Sequence, residues 1–86
     1  MKKNIPLTIN GTRIVFAMTP TLYNQYIDEM QMTKKVGPAS NLLMRAVQPE
    51  DKDALREILA LPGACMQIVG ELVEQFAPDL EIIAGE

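Results

Sequence analysis

Apolar and polar residues alternate at the start of the chain. Ile5, Leu7 and Ile9 are separated by Pro6 and Thr8, and Ile14 and Phe16 follow beyond Asn10-Gly11. A period of two predicts strands. Asn-Gly between two such runs signals a two-residue type I′ turn, which needs positive φ at both central residues. That loop length sets the register: Ile9 opposite Thr12, Thr8 opposite Arg13, Leu7 opposite Ile14, Pro6 opposite Val15 and Ile5 opposite Phe16. Ile5, Leu7, Ile9, Ile14 and Phe16 then share one face, the expected core face. The hairpin is expected over about residues 4–9 and 12–17.

Pro6 limits what can lie beside this hairpin. In this register hydrogen-bonded pairs alternate with non-hydrogen-bonded ones, and Pro6–Val15 is of the second kind. The N–H that proline lacks would have pointed away from its partner strand. The first strand is therefore expected to be a sheet edge. A further strand would have to pair along Arg13, Ile14, Val15 and Phe16, contributed either by Leu80–Ile83 or by a second copy of the chain.

After the hairpin the apolar spacing changes to that of helices. Thr19-Pro20 supplies an N-cap and a first-turn proline, and Leu22, Tyr23, Tyr26, Ile27 and Met30 share one face of a helix over about 20–32. A second helix, about 38–47, has Ala39, Leu42, Leu43, Ala46 and Val47 as its apolar stripe. A third, about 50–60, buries Ala54, Leu55, Ile58 and Leu59, with Glu50, Asp51 and Asp53 in its first turn to complement the helix dipole. A fourth, about 63–76, presents Cys65, Ile68, Val69, Leu72, Val73 and Phe76. Gly70 inside it costs about 1 kcal/mol relative to alanine; it either permits a close helix contact or is simply tolerated. Leu80–Ile83 reads as a short final strand or as a frayed tail. The expected fold class is α+β, a hairpin packed on four short helices in a single domain spanning residues 1–86.

Composition narrows the class without naming an activity. A chain of 86 residues has a thin stability margin. One cysteine, Cys65, excludes an internal disulfide, and the lack of histidine removes the usual structural zinc sites. A lone cysteine suits a reducing compartment. Neither a signal peptide nor a membrane-spanning run is legible, so the expected location is cytoplasmic, with no membrane partner. Charge is uneven: residues 1–56 carry +3 and residues 57–86 carry −6 with no basic residue. No basic footprint for nucleic acid is concentrated anywhere. The acidic end reads as a solvated surface, or as a face that steers toward a basic partner.

Candidate chemistry is sparse. Cys65 has no histidine base and lies on an apolar helical face, so it reads as a buried packing residue. Glu50, Asp51 and Asp53 are explained by the helix dipole, and they lack the glycine and terminal glutamate of a calcium loop. No phosphate-cradling glycine loop is present. The chain is not expected to be an enzyme or to need a cofactor. Met18, Met30, Met32, Met44 and Met66 suit gap-filling in a small core, or an adaptable binding surface. The binding reading is strongest for Met30 and Met32, which sit two apart and cannot both face one core. With Val36 they could form an apolar lip beside Lys34 and Lys35. Tyr23 and Tyr26 read as core rings with hydroxyls at the rim.

The segments "LTINGTRIVF", "TPTLYNQYI", "NLLMRAVQPEDKDALREILALPGA" and "FAPDLEI" together give a chain that resembles the small tail assembly chaperones of tailed bacteriophages and prophages. The resemblance rests on the order and texture of nearly the whole chain. It implies a non-enzymatic role: binding the tape-measure protein, keeping it soluble until tail-tube subunits polymerise around it, and absence from the mature virion. It also implies a longer form made by frameshifting that recruits tail-tube protein, and self-association into a homo-oligomer. No individual functional residue carries over. A generic protein-interaction or regulatory domain encoded by a mobile element stands as the alternative. A DNA-binding helix-turn-helix protein is weaker, because the third helix sets Glu50, Asp51, Asp53 and Glu57 beside Lys52 and Arg56.

Overall fold

The Asn10-Gly11 turn forms as its residue types require, with φ of 50° at Asn10 and 82° at Gly11. The computed structural model of the protein describes residues 2–30, 35–77 and 84–85. Strand β1 (Lys3–Ile9) pairs antiparallel with β2 (Thr12–Met18), and the register places Ile9 opposite Thr12, Leu7 opposite Ile14, Pro6 opposite Val15 and Ile5 opposite Phe16. The alternation runs slightly further than its pattern suggests, to Lys3 opposite Met18. Met18 joins Ile5, Ile14 and Phe16 as buried members of the core face, while Leu7 and Ile9 are half-buried.

Helices follow as α1 (Pro20–Glu29), α2 (Val36–Ala46), α3 (Lys52–Leu59) and α4 (Ala64–Phe76). The fold class is α+β, a hairpin and four α-helices among the described residues. The Thr19 hydroxyl accepts the Leu22 N–H at 3.1 Å, which caps α1. That helix ends at Glu29, short of the expected 32, and Met30 turns extended at φ −69° and ψ 133°. Asp28 and Glu29 close the helix with no basic residue in its last turn, the unfavourable arrangement at the negative end of a helix dipole. Helix α2 starts at Val36, two residues before Pro38. A proline in the first turn lacks an N–H that would have had no intrahelical partner there, so Pro38 need not be the first residue. At the other end Val47 is extended, and α2 stops one residue before its expected limit.

Between α2 and α3, Pro49–Asp51 forms one turn of 3₁₀ helix. Gly63 takes φ 74° as the cap of α4, and a side chain there would be strained. The core draws Phe16, Ile14 and Met18 from the sheet, Leu42 and Leu43 from α2, Leu55 from α3 and Leu72 from α4, all essentially inaccessible. Tyr26 is buried, and Tyr23 is half-buried with its ring 6.0 Å from that of Phe76.

The hairpin is joined to the helices along the outer edge of β2. Val15 is the residue whose backbone groups point away from β1 at the middle of the strand. Its C=O accepts the Gln48 N–H at 2.9 Å, and its N–H donates to Oδ2 of Asp51 at 2.9 Å. Val47 adds an antiparallel bridge to Phe16. The occupant of the edge at Val15 is therefore the α2–α3 connection, where a further strand was expected. Residues 80–83, the expected strand, lie outside the described residues. Asp51 stands at the N-cap position of α3 but makes no side-chain capping bond; its carboxylate accepts from the sheet instead.

Three substitutions test these contacts. Asp51→Ala leaves the part-buried Val15 N–H without its charged acceptor, an expected loss of about 1–3 kcal/mol in urea unfolding. Asp53→Ala, whose side chain is 96% exposed, should change stability by less than about 0.5 kcal/mol. Gly70 is exposed, and a Cβ placed there meets no atom within 4 Å. It supports no close helix contact among the described residues, so Gly70→Ala should stabilise by about 0.5–1 kcal/mol, seen as a raised Tm.

Candidate functional site

Among the described residues, exposed apolar side chains occur near the end of α1, at the starts of α2 and α4, and along a groove. Val36 is 60% exposed at the first position of α2, Ile27 is 46% exposed on α1 and Met66 is 37% exposed on α4. The starts of α2 and α4 touch here: the Cys65 thiol donates to the Val36 carbonyl at a long 3.8 Å. Lys35 is exposed beside Val36. Met30 is half-buried and packs against the core. Met32 and Lys34 lie outside the described residues.

Cys65 is half-buried, less enclosed than its place on an apolar stripe suggests. Burial still pushes its thiol pKa up, which disfavours the thiolate needed for nucleophilic chemistry. Burial, and then the neighbouring Cys65 and Tyr23, push the Tyr26 hydroxyl up as well. Among the described residues no group of histidine, cysteine or acidic side chains is placed to hold a metal ion. No described helix is long and apolar enough to cross a membrane.

The groove, of about 680 Å³, lies between β1 and α4 and is closed at one end by the α3–α4 connection. Its apolar lining includes Leu7 and Ile9 from β1, Ile58 from α3, Leu61 from the connection, and Ala64 and Ile68 from α4. Thr8, Asn10, Gln67, Glu71 and Gln75 supply its polar positions. At the far end the Lys3 ammonium donates to the Gln75 carbonyl at 3.0 Å, tying the start of β1 to the last turn of α4. Nothing in the spacing of the chain announces this groove. Leu7 and Ile9 alternate with Thr8 just as buried residues would, and only their incomplete cover marks them.

Of the edge residues Arg13–Phe16, Ile14 and Phe16 are buried and Val15 is held by Gln48 and Asp51. Arg13 is exposed, and its backbone bonds to no other element among the described residues. Paired methionines were the signal for a binding surface. Of those described, Met18 is buried, Met30 and Met44 are half-buried against the core, and Met66 contributes to the exposed surface.

Comparison with known proteins adds what geometry alone lacks. An uncharacterized 11.3 kDa protein in the lys 3′ region of Haemophilus phage HP1 (strain HP1c1) is 28% identical over 82 residues, which is 95% of this chain and 80% of that protein. No solved structure matches the chain. The family model for phage tail assembly chaperones matches residues 5–86. With the match running from the first buried strand residue to the C-terminal end, this chain belongs to the phage tail assembly chaperone family.

Proposed function

We propose that this chain binds the tape-measure protein of a phage tail and keeps it soluble while the tail assembles. The observation that carries the proposal is the family match over residues 5–86. The surface chemistry supports it. Holding an apolar chain in solution needs apolar contact area on a charged, soluble carrier, and Val36, Ile27 and Met66 expose such area on a chain of net charge −3. The lip expected from Met30, Met32, Val36, Lys34 and Lys35 is proposed as one contact with the tape measure, with Met66 added to it from α4.

The role is non-enzymatic on this reading. A half-buried thiol with a raised pKa and no histidine base offers no activated nucleophile. The site of action is the cytoplasm of the bacterial host, and the chaperone leaves before the virion is mature. Several copies along one tape measure, self-associated or side by side, would turn weak single contacts into tight holding. A frameshifted longer form would bring tail-tube protein to the same complex.

Co-expression with the tape-measure protein of the same phage tests the proposal. The expected outcome is that the tape-measure protein moves from the insoluble to the soluble fraction and co-purifies with this chain. Val36→Asp, at an exposed position, should leave the fold intact and reduce the amount co-purified. A tape-measure protein equally insoluble with and without this chain would overturn the reading.

A further inference from the structure

The groove between β1 and α4 is lined mostly by apolar residues. We propose that it takes an amphipathic helical segment of a partner, about three turns long, whose apolar stripe is flanked by lysine or arginine. The inference rests on the reading that this chain holds a protein partner, and adds where and by what chemistry.

Length is the first observation. The α4 wall, Ala64 to Gln75, rises about 1.5 Å per residue and so runs about 17 Å. The facing stretch of β1, Pro6 to Asn10, spans about 14 Å. A helix of three turns is about 16 Å long. Its apolar side would lie on Leu61, which is 49% exposed, and on the half-buried Leu7, Ile9, Ile58 and Ala64, with the buried Ile68 beneath them. Helix-in-groove recognition reads such anchors at i, i+3, i+4 and i+7.

The strand wall selects a helix over a second strand. The outer edge of β1 faces this groove, and its outward-pointing backbone position at the centre is Pro6, paired with Val15. Pro6 has no N–H, so an added strand would lose the central bond of the ladder. A helix satisfies its own backbone and needs no such bond.

Charge selects the flanks. Glu71 is the one charged residue of the lining, Glu74 follows on α4, and the nearby Lys3 ammonium is held on the Gln75 carbonyl at the groove's end. Lysine or arginine beside the partner's apolar stripe would meet these carboxylates. A second copy fits poorly: α3, the one described helix with two basic residues, turns Leu55 into the core with Ala54 packed against it.

The test uses the full chain and three 14-residue peptides, followed by amide chemical shifts in a titration. One peptide places leucine at i, i+3, i+4 and i+7 with lysine on both flanks. The second replaces the lysines by glutamates, and the third arranges the first composition with a period of two. The lysine-flanked helix should shift the amides of Thr8, Ile9, Leu61, Gln67 and Glu71 and bind at least tenfold more tightly than either control. Leu61→Asp should weaken it at least tenfold, and Glu71→Lys, at an exposed position, should reverse the preference for lysine over glutamate flanks. Equal binding of the period-two peptide, shifts confined to Val36 and Met66, or no effect of either substitution would overturn the proposal. So would shifts of the groove amides on concentrating the protein alone, which would make a second copy the occupant. Co-purification separates this inference from the one beneath it. If Leu61→Asp and Glu71→Lys hold the tape-measure protein as well as the parent chain, the groove is not the site and the function stands. If the parent chain does not hold the tape-measure protein but the peptide binds as described, the function fails and the groove stands.

Discussion

Val15 turns both of its backbone hydrogen-bonding groups away from β1, and both are met from one short stretch, Gln48 to Asp51. A two-stranded hairpin is marginal in water and needs another surface to lean on. Side-chain packing supplies the force through Ile5, Ile14, Phe16 and Met18, but apolar contact is non-directional and does not by itself choose how the hairpin sits. The bonds at Val15 are directional. They place the α2–α3 connection beside β2, and an unsatisfied group there would cost about 1–3 kcal/mol. With that side taken, β1 becomes the outer strand and faces α4, where Lys3 reaches the Gln75 carbonyl.

The groove follows from this placement. The α2–α3 connection covers one edge of the hairpin, while α4 and the turn at Leu61-Pro62-Gly63 stand off from the other. Ile5 sits at the covered part of the face and is buried; Leu7 and Ile9, nearer the turn, are only half covered. A single small core cannot bury every apolar residue of a chain this short. Among the described residues, large apolar side chains remain exposed at Leu61 beside the groove and at Ile27, Val36 and Met66 near helix ends.

The parts of this fold legible in the sequence are those set by local chemistry. Asn10-Gly11 specifies its turn because few other residues accept positive φ twice in succession, and the turn then sets every pair of the hairpin. Thr19-Pro20 caps α1 as its residue types predict. The apolar stripes locate Leu42, Leu55 and Leu72 as core. Helix ends were less legible: α1 closes at Glu29 and α2 opens at Val36, because terminal turns respond to dipole and packing more than to apolar spacing. Asp51 lies in a first turn as its position suggests, and also serves a role that its position does not signal. A carboxylate in a first turn already has a sufficient local explanation, so nothing pointed to a partner 36 residues away. Of the expected binding residues, Val36 and Lys35 lie on an exposed surface, whereas Met30 lies against the core.

By itself, the sequence determined the elements, the hairpin register, the buried stripes and a family resemblance that the family match bears out. These depend on turn stereochemistry, on periods of two and 3.6, and on residue order, all of which act over a few neighbours or are read along the chain. Tertiary structure alone decided which element lies beside β2 and which side chains of the apolar faces remain uncovered. Those outcomes depend on distant groups meeting: a carboxylate at 51 with an amide at 15, an ammonium at 3 with a carbonyl at 75. Such meetings carry no local signal, because each residue has a complete explanation within its own helix or strand until the two are brought together.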